Sequence, residues 1–137
     1  MNDFPKGERL KSRKKILSLL HNGNIAKAGP VKIIWEKDSF PDNDDSSRHI
    51  QAAFSVPKRK FKKAVQRNRI RRKMKEIFRL NKQPLSEYLE MHQLRINILI
   101  IYLSNQDLPY KQIEKHFLRT LTSILESLKF ENVKKYK

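Results

Sequence analysis

Between Pro57 and Lys82 the chain carries thirteen Lys or Arg residues and a single acid, Glu76, which is twelve of the molecule's seventeen net positive charges. Any fold must therefore seat this segment with its cations in water or against an anion, because an unpaired charge is costly to bury. At about 100° per residue, Asn68, Arg72, Lys75 and Arg79 fall in one narrow stripe while Ile70, Met74, Ile77 and Phe78 lie on the opposite side. The spacing predicts a helix over 63–80 that docks by its apolar face and turns the other outward. A merely solvated helix would intersperse Glu with Lys at i,i+4, since like charges at that spacing destabilise it. Here Arg67, Arg71 and Lys75 stand four apart with no acid among them, and only Glu76, four after Arg72, offers a partner. The missing pairing points to a polyanion. Arginine at 67, 69, 71 and 72 favours nucleic acid, and folded RNA in particular, because the planar guanidinium bridges phosphate oxygens or stacks on a base. Arg67 lies near the apolar stripe on the same wheel, so it either reaches past the sheet edge or is a snorkelling structural residue.

Around this helix the other elements follow from periodicity. Leu10, Ile16, Leu17, Leu19 and Leu20 among polar positions predict an amphipathic helix over 8–21, with Gly23 as its stop. Val31 to Glu36 and Ile50 to Val56 read as strands, joined by a turn-forming polar segment and expected to pair antiparallel. In the second, Ile50, Ala52, Phe54 and Val56 form an apolar face and leave Gln51, Ala53 and Ser55 on the other. Pro84 opens a short helix, Arg95 to Leu103 is a third, well-buried strand, and Asp107 with Pro109 starts a last helix carrying Ile113, Phe117, Leu121, Ile124 and Leu128. The basic tail, 131–137, is expected to fray. This order suits one α+β domain over 1–137, with helices covering one face of a small mixed sheet.

Composition narrows the functions. At 137 residues the chain supports one core, and a net charge of +17 with pI about 10.3 calls for a polyanionic partner. The longest apolar run, Ile96 to Leu103, is too short to span a bilayer, and the amino terminus lacks a signal-type apolar stretch, so a cytoplasmic protein without membrane association is expected. Cysteine is absent, which removes thiolate chemistry and Cys-ligated zinc. Asp42, Asp44 and Asp45 lack the glycine and distal glutamate of a calcium loop and read as a solvated turn. His21, His49, His92 and His116 show no ligand spacing, no nucleophile–base–acid set can be assembled, and three glycines build no phosphate loop. Neither a catalytic site nor a small-molecule substrate is expected in the protein. Trp35, Phe54, Phe117 and Phe130 are assigned first to the core.

The run Phe54-Ser-Val-Pro-Lys-Arg-Lys-Phe-Lys-Lys-Ala-Val-Gln-Arg-Asn-Arg-Ile-Arg-Arg-Lys-Met-Lys-Glu-Ile-Phe-Arg79 resembles the bacterial ribonuclease P protein family, whose helix start Ala64-Val65-Gln66-Arg67-Asn68-Arg69-Ile70-Arg71-Arg72 follows closely. The order of elements agrees across nearly the whole chain, including Arg9-Leu10. This resemblance implies a two-layer α/β sandwich with a left-handed βαβ crossover, although right-handed crossovers are the general rule. It implies a non-catalytic subunit that binds a catalytic RNA and precursor tRNA, assisting Mg²⁺-dependent 5′-leader removal with the Mg²⁺ held mainly by the RNA. RNA-binding positions would be Lys58, Arg59, Arg67, Asn68, Arg69, Arg71, Arg72, Lys75 and Arg79. A cleft for the single-stranded leader would be lined by Ile16, Leu20, Ile34 and Ser55, where the family often has aromatics at the first three. The family's glycine before Ala-Val is replaced by a longer Phe61-Lys62-Lys63 connection. A ribosomal protein or RNA chaperone would need the same charge, and a protein-only nuclease would need an acid cluster that the sequence does not display.

Overall fold

A strand that is apolar on both faces must sit in the interior of a sheet, and Ile96–Tyr102 does. The computed structural model describes residues 8–38 and 49–135, with side chains to residue 131. The elements are α1 (Arg13–Asn22), β1 (Asn24–Ala28), β2 (Val31–Lys37), β3 (Ile50–Ser55), α2 (Ala64–Asn81), α3 (Gln83–Met91), β4 (Ile96–Tyr102) and α4 (Tyr110–Lys135). The sheet order is β1-β2-β4-β3, with β1/β2 and β2/β4 antiparallel and β3/β4 parallel. The fold is thus α+β with a four-stranded mixed sheet, and β3–α2–α3–β4 is its parallel crossover.

Several expectations change. β2 and β3 do not pair: β4 lies between them, because its two apolar faces require a ladder at each edge. β1 was not anticipated. It forms a tight hairpin with β2 through Gly29 and Pro30, where Gly29 adopts φ +54° and a Cβ would stand 2.7 Å from the His116 ring. α1 begins at Arg13, not at 8. Ser12 caps it by accepting from the Lys15 N–H, while Arg9 bridges Ala52 of β3 in extended form. α4 continues to Lys135 through most of the tail expected to fray, and Phe130 is 69% exposed rather than core. Asp42, Asp44 and Asp45 lie outside the described residues.

Two apolar clusters sandwich the sheet. The larger joins Ile33, Trp35, Ile50, Ala52, Ile98 and Ile100 to α2, α3 and α4; the smaller packs Leu10, Leu19 and Ile16 against Ile34, Leu99, Ala53 and Ile101 on the opposite face. The expectation of helices on one face therefore holds for α2, α3 and α4, whereas α1 covers part of the other. Beneath α1 a buried ion pair, Lys15 Nζ to Asp38 Oδ2 at 3.1 Å, is joined by Gln51 Oε1 at 3.2 Å, and Ser18 Oγ donates to Glu36. No helix among the described residues is long and apolar enough to cross a membrane.

Candidate nucleic-acid interface

Ile70, Met74, Ile77 and Phe78 of α2 are completely buried, and Phe78 meets Phe54 edge-on at 6.1 Å and Phe117 at 6.4 Å. Each such burial contributes roughly 1.5–3 kcal/mol, well above the roughly 0.2–0.5 kcal/mol by which a like-charged i,i+4 pair destabilises a helix. Docking therefore fixes the orientation of α2 despite its charge. The outward face presents Asn68, Arg69, Arg72 and Arg79 to solvent, while Arg71 and Lys75 are half-buried. Val65, Asn68, Arg69 and Arg72 line a shallow depression of about 230 Å³.

Side-chain bonds sort these cations into different roles. No carboxylate lies within ion-pair distance of Arg67, Arg71 or Arg72 among the described residues. Arg71 donates to Asn68 Oδ1 at 2.8 Å, which ties the two side chains together on the helix surface. Arg79 pairs with Glu76 at 2.6 Å, and that hydrogen bond holds the Glu76 carboxyl below its ordinary range. Asp107, in the β4–α4 loop, takes Lys73 at 2.6 Å and reaches Arg69 at 3.5 Å. Burial, then the neighbouring charges of Arg9 and Arg71, depress the Lys75 ammonium. Each arginine contributes less to that shift than burial does, and an anion beside them would oppose it.

Arg67 makes the backbone contacts of a structural residue. Its Nη1 donates to the carbonyls of Phe61 at 2.6 Å and Lys62 at 2.9 Å, and so closes the loop onto the first turn of α2, whose N-cap residue Lys63 makes no side-chain cap. The same loop holds Lys58 and Arg59, both exposed. Phe61 anchors it from within, 5% exposed and 6.0 Å from Tyr102, while Lys60 Nζ donates to the Leu103 carbonyl. Tyr102 in turn donates to Gln106 O at 2.5 Å and accepts from the Leu108 N–H, which fastens the loop bearing Asp107. Sequence reasoning left the role of Tyr102 open, read Asp107 only as the start of the last helix and Phe61 only as part of a longer connection, and so missed what the three do together. Phe61 alone carried a signal, as an apolar residue inside a run of cations.

On the other sheet face, Ile16 is half-buried and Leu20 is 55% exposed along α1, and Ser55 is half-buried on β3. Ile34 is only 6% exposed and lies under α1, where a Cβ on Gly23 would come within 2.3 Å of it. It supports the helix and offers almost no surface to a ligand. Ile101, next to Ser55 in the β3/β4 register and half-buried, occupies the open floor instead.

The family model for ribonuclease P matches residues 4–125. The chain belongs to the ribonuclease P protein family. It is 27% identical over 119 residues to the ribonuclease P protein component of Porphyromonas gingivalis, covering 87% of this chain and 84% of that one. To the component of Finegoldia magna it is 39% identical over 74 residues, 54% and 59% of the respective chains. Among solved structures, the RNase P protein of Staphylococcus aureus superposes with a TM-score of 0.63 at 20% identity (87% and 96% covered), and that of Thermotoga maritima with 0.59 at 18% (88% and 96%). These likenesses carry the fold. Membership makes the chain a protein subunit of ribonuclease P in tRNA processing, part of an endoribonuclease complex whose other partner is RNA.

Proposed function

We propose that the outward face of α2, together with the Lys58–Arg59 loop, binds the catalytic RNA of ribonuclease P, and that the space between α1 and the open part of the sheet holds the 5′ leader of precursor tRNA. The observation that carries this reading is a helix docked by four buried apolar residues while Asn68 and Arg72 face outward beside the half-buried Arg71, neither arginine within ion-pair distance of a carboxylate among the described residues. In this reading the RNA performs phosphodiester hydrolysis, and the protein lowers the repulsion between two polyanions so that substrate binds more tightly and less metal is needed. On the same reading Mg²⁺ is held mainly by the RNA. Among the described residues no three His, Asp or Glu side chains gather to hold such an ion, and no step is assigned to a protein-bound metal. The complex is placed in the cytoplasm, where precursor tRNA is processed.

The test is reconstitution of the full chain with catalytic RNA, followed by an assay of 5′-leader removal. Replacing Asn68, Arg69 and Arg72 with Ala is expected to weaken RNA binding and flatten its log–log salt dependence by about 0.7–0.9 for each phosphate that the protein no longer neutralises. An unchanged slope would move the RNA elsewhere on the molecule.

A further inference from the structure

We propose that Lys27 and Lys32 form a phosphodiester-binding site on the floor of the α1 cleft, so that a single RNA strand is gripped there by its backbone and not by its bases. The proposal rests on the leader-cleft reading and adds the chemistry of recognition to it. In the β1/β2 register Lys27 stands directly opposite Lys32, and the row continues through Ile101 of β4 to Ser55 of β3. Side chains alternate along each strand, so this row shares the face of Ile34 and Leu99, the face that α1 partly covers.

α1 covers the neighbouring rows, and of this row only Ile101 packs against its cluster. Leu19 and Ile16 pack over Ile34, Leu99 and Ala53, Ser18 binds Glu36, and Lys15 reaches Gln51. Lys27 is exposed and Lys32, Ile101 and Ser55 are half-buried, and Leu20 of α1 is exposed as well.

Two observations single out the lysines. Like charges directly opposite each other weaken an antiparallel ladder, and here nothing offsets them. Neither lysine has an ion-pair partner among the described residues. The carboxylate on the same face of β2, Glu36, is four residues or about 13 Å along the strand and is held by Ser18. The second observation is what surrounds them. On this face the described strand residues include no aromatic side chain, and the α1 wall supplies Ile16 and Leu20, so no platform for stacking bases is present. Two ammonium groups on flexible stems, rooted roughly 5 Å apart, can instead close on one phosphate from two sides. An aliphatic wall then accepts any base beside it.

The experiment uses the full chain reconstituted with catalytic RNA and compares Lys27→Gln/Lys32→Gln with the parent protein. Binding is measured across a salt series to precursor tRNA, to the same tRNA without its leader, and to the catalytic RNA alone. The double variant is expected to lower the slope for precursor by about 0.7, the value for one neutralised single-strand phosphate, and to leave the other two unchanged. Lys27→Arg/Lys32→Arg should retain the slope, and exchanging leader bases should change the parent affinity less than twofold. The Gln variant should unfold at the same or a higher temperature, whereas a merely structural pair would lower it. A parent protein that favours precursor over leaderless tRNA, with a slope the Gln variant leaves unchanged, overturns the lysine site alone. An equal loss with catalytic RNA alone assigns the phosphodiester to that RNA and overturns the leader assignment. If the parent does not distinguish precursor from leaderless tRNA, the cleft reading fails first.

Discussion

Replacing Phe61 with Ala should unseat the basic loop and weaken the fold together. The ring is 5% exposed, belongs to the larger core cluster and lies 6.0 Å from Tyr102. Truncating a buried Phe typically costs about 3–5 kcal/mol. Phe61 sits at the rim of the core, beneath a turn in which the Lys60 and Phe61 N–H groups both donate to Pro57 O, so neighbouring loop residues can relax into part of the void and the lower figure applies, about 3 kcal/mol. For a chain of this size about 1 kcal/mol corresponds to roughly 3–4 °C, so the midpoint should fall by about 10 °C. Thermal and urea unfolding followed by circular dichroism measure this directly, and the urea m-value should be unchanged. Phe61→Leu, which keeps most of the apolar volume, should lose less than half as much. At a temperature where the variant remains folded, its RNA salt dependence should also flatten, because Lys58 and Arg59 ride on the loop that Phe61 holds. A destabilisation below about 1 kcal/mol would refute the claim that this ring, rather than the helix alone, positions those cations.

Arg67→Lys keeps the charge but not the reach to two carbonyls; it should destabilise by about 1 kcal/mol and leave the RNA salt slope intact, while a flatter slope with unchanged stability would return Arg67 to the phosphates. Asp38→Asn removes one carboxylate from the buried Lys15 ammonium and should destabilise by about 1–3 kcal/mol in urea unfolding, whereas Lys15→Met/Asp38→Leu should cost less; equal destabilisation would remove the buried charge as the cause. Glu76 has a folded pKa held below its ordinary 4.5 by Arg79, so its contribution is complete above that value and disappears as pH falls through the lower one. Glu76→Gln should flatten the acid limb of stability below about pH 4.5, and superimposable acid unfolding curves for variant and parent would refute this.

What the sequence disclosed depends on how local the cause is. The apolar stripe of α2 was legible because one helix reports its own docking face through a period of 3.6, and Ile70, Met74, Ile77 and Phe78 are all buried. The burial of β4 was legible for the same reason, through an unbroken apolar run. Its partners were not. Pairing β2 with β3 followed adjacency in the chain, but the sheet is ordered by which strand can be covered on both faces. β1 was missed because Asn-Ile-Ala-Lys-Ala offers one large apolar residue, and its hairpin depends on Gly29 fitting beneath His116 of a distant helix. Ile34 was assigned to the cleft by position, although only the path of α1 over Gly23 decides that it is covered. Phe130 lies roughly 140° around α4 from the stripe of Ile113, Phe117, Leu121, Ile124 and Leu128, and so stays exposed.

The parallel pair β3/β4 explains why these sites gather at one end of the molecule. Parallel neighbours run in the same direction, so the segments leaving them emerge from the same edge of the sheet: the Lys58–Lys63 loop from β3 and the Ser104–Pro109 loop from β4. Phe61 against Tyr102, Lys60 on the Leu103 carbonyl and Asp107 between Arg69 and Lys73 fasten those two exits to each other and to the start of α2. The row holding Lys27, Lys32 and Ser55 lies at that same end on the opposite face. On the proposed reading, RNA along α2 and a strand in the cleft are therefore held on two sides of one rigid edge, separated by the sheet and the helix docked on it, roughly 20 Å. A loosened loop between them should disturb both binding faces at once, whereas a loosened α1 should disturb only the cleft.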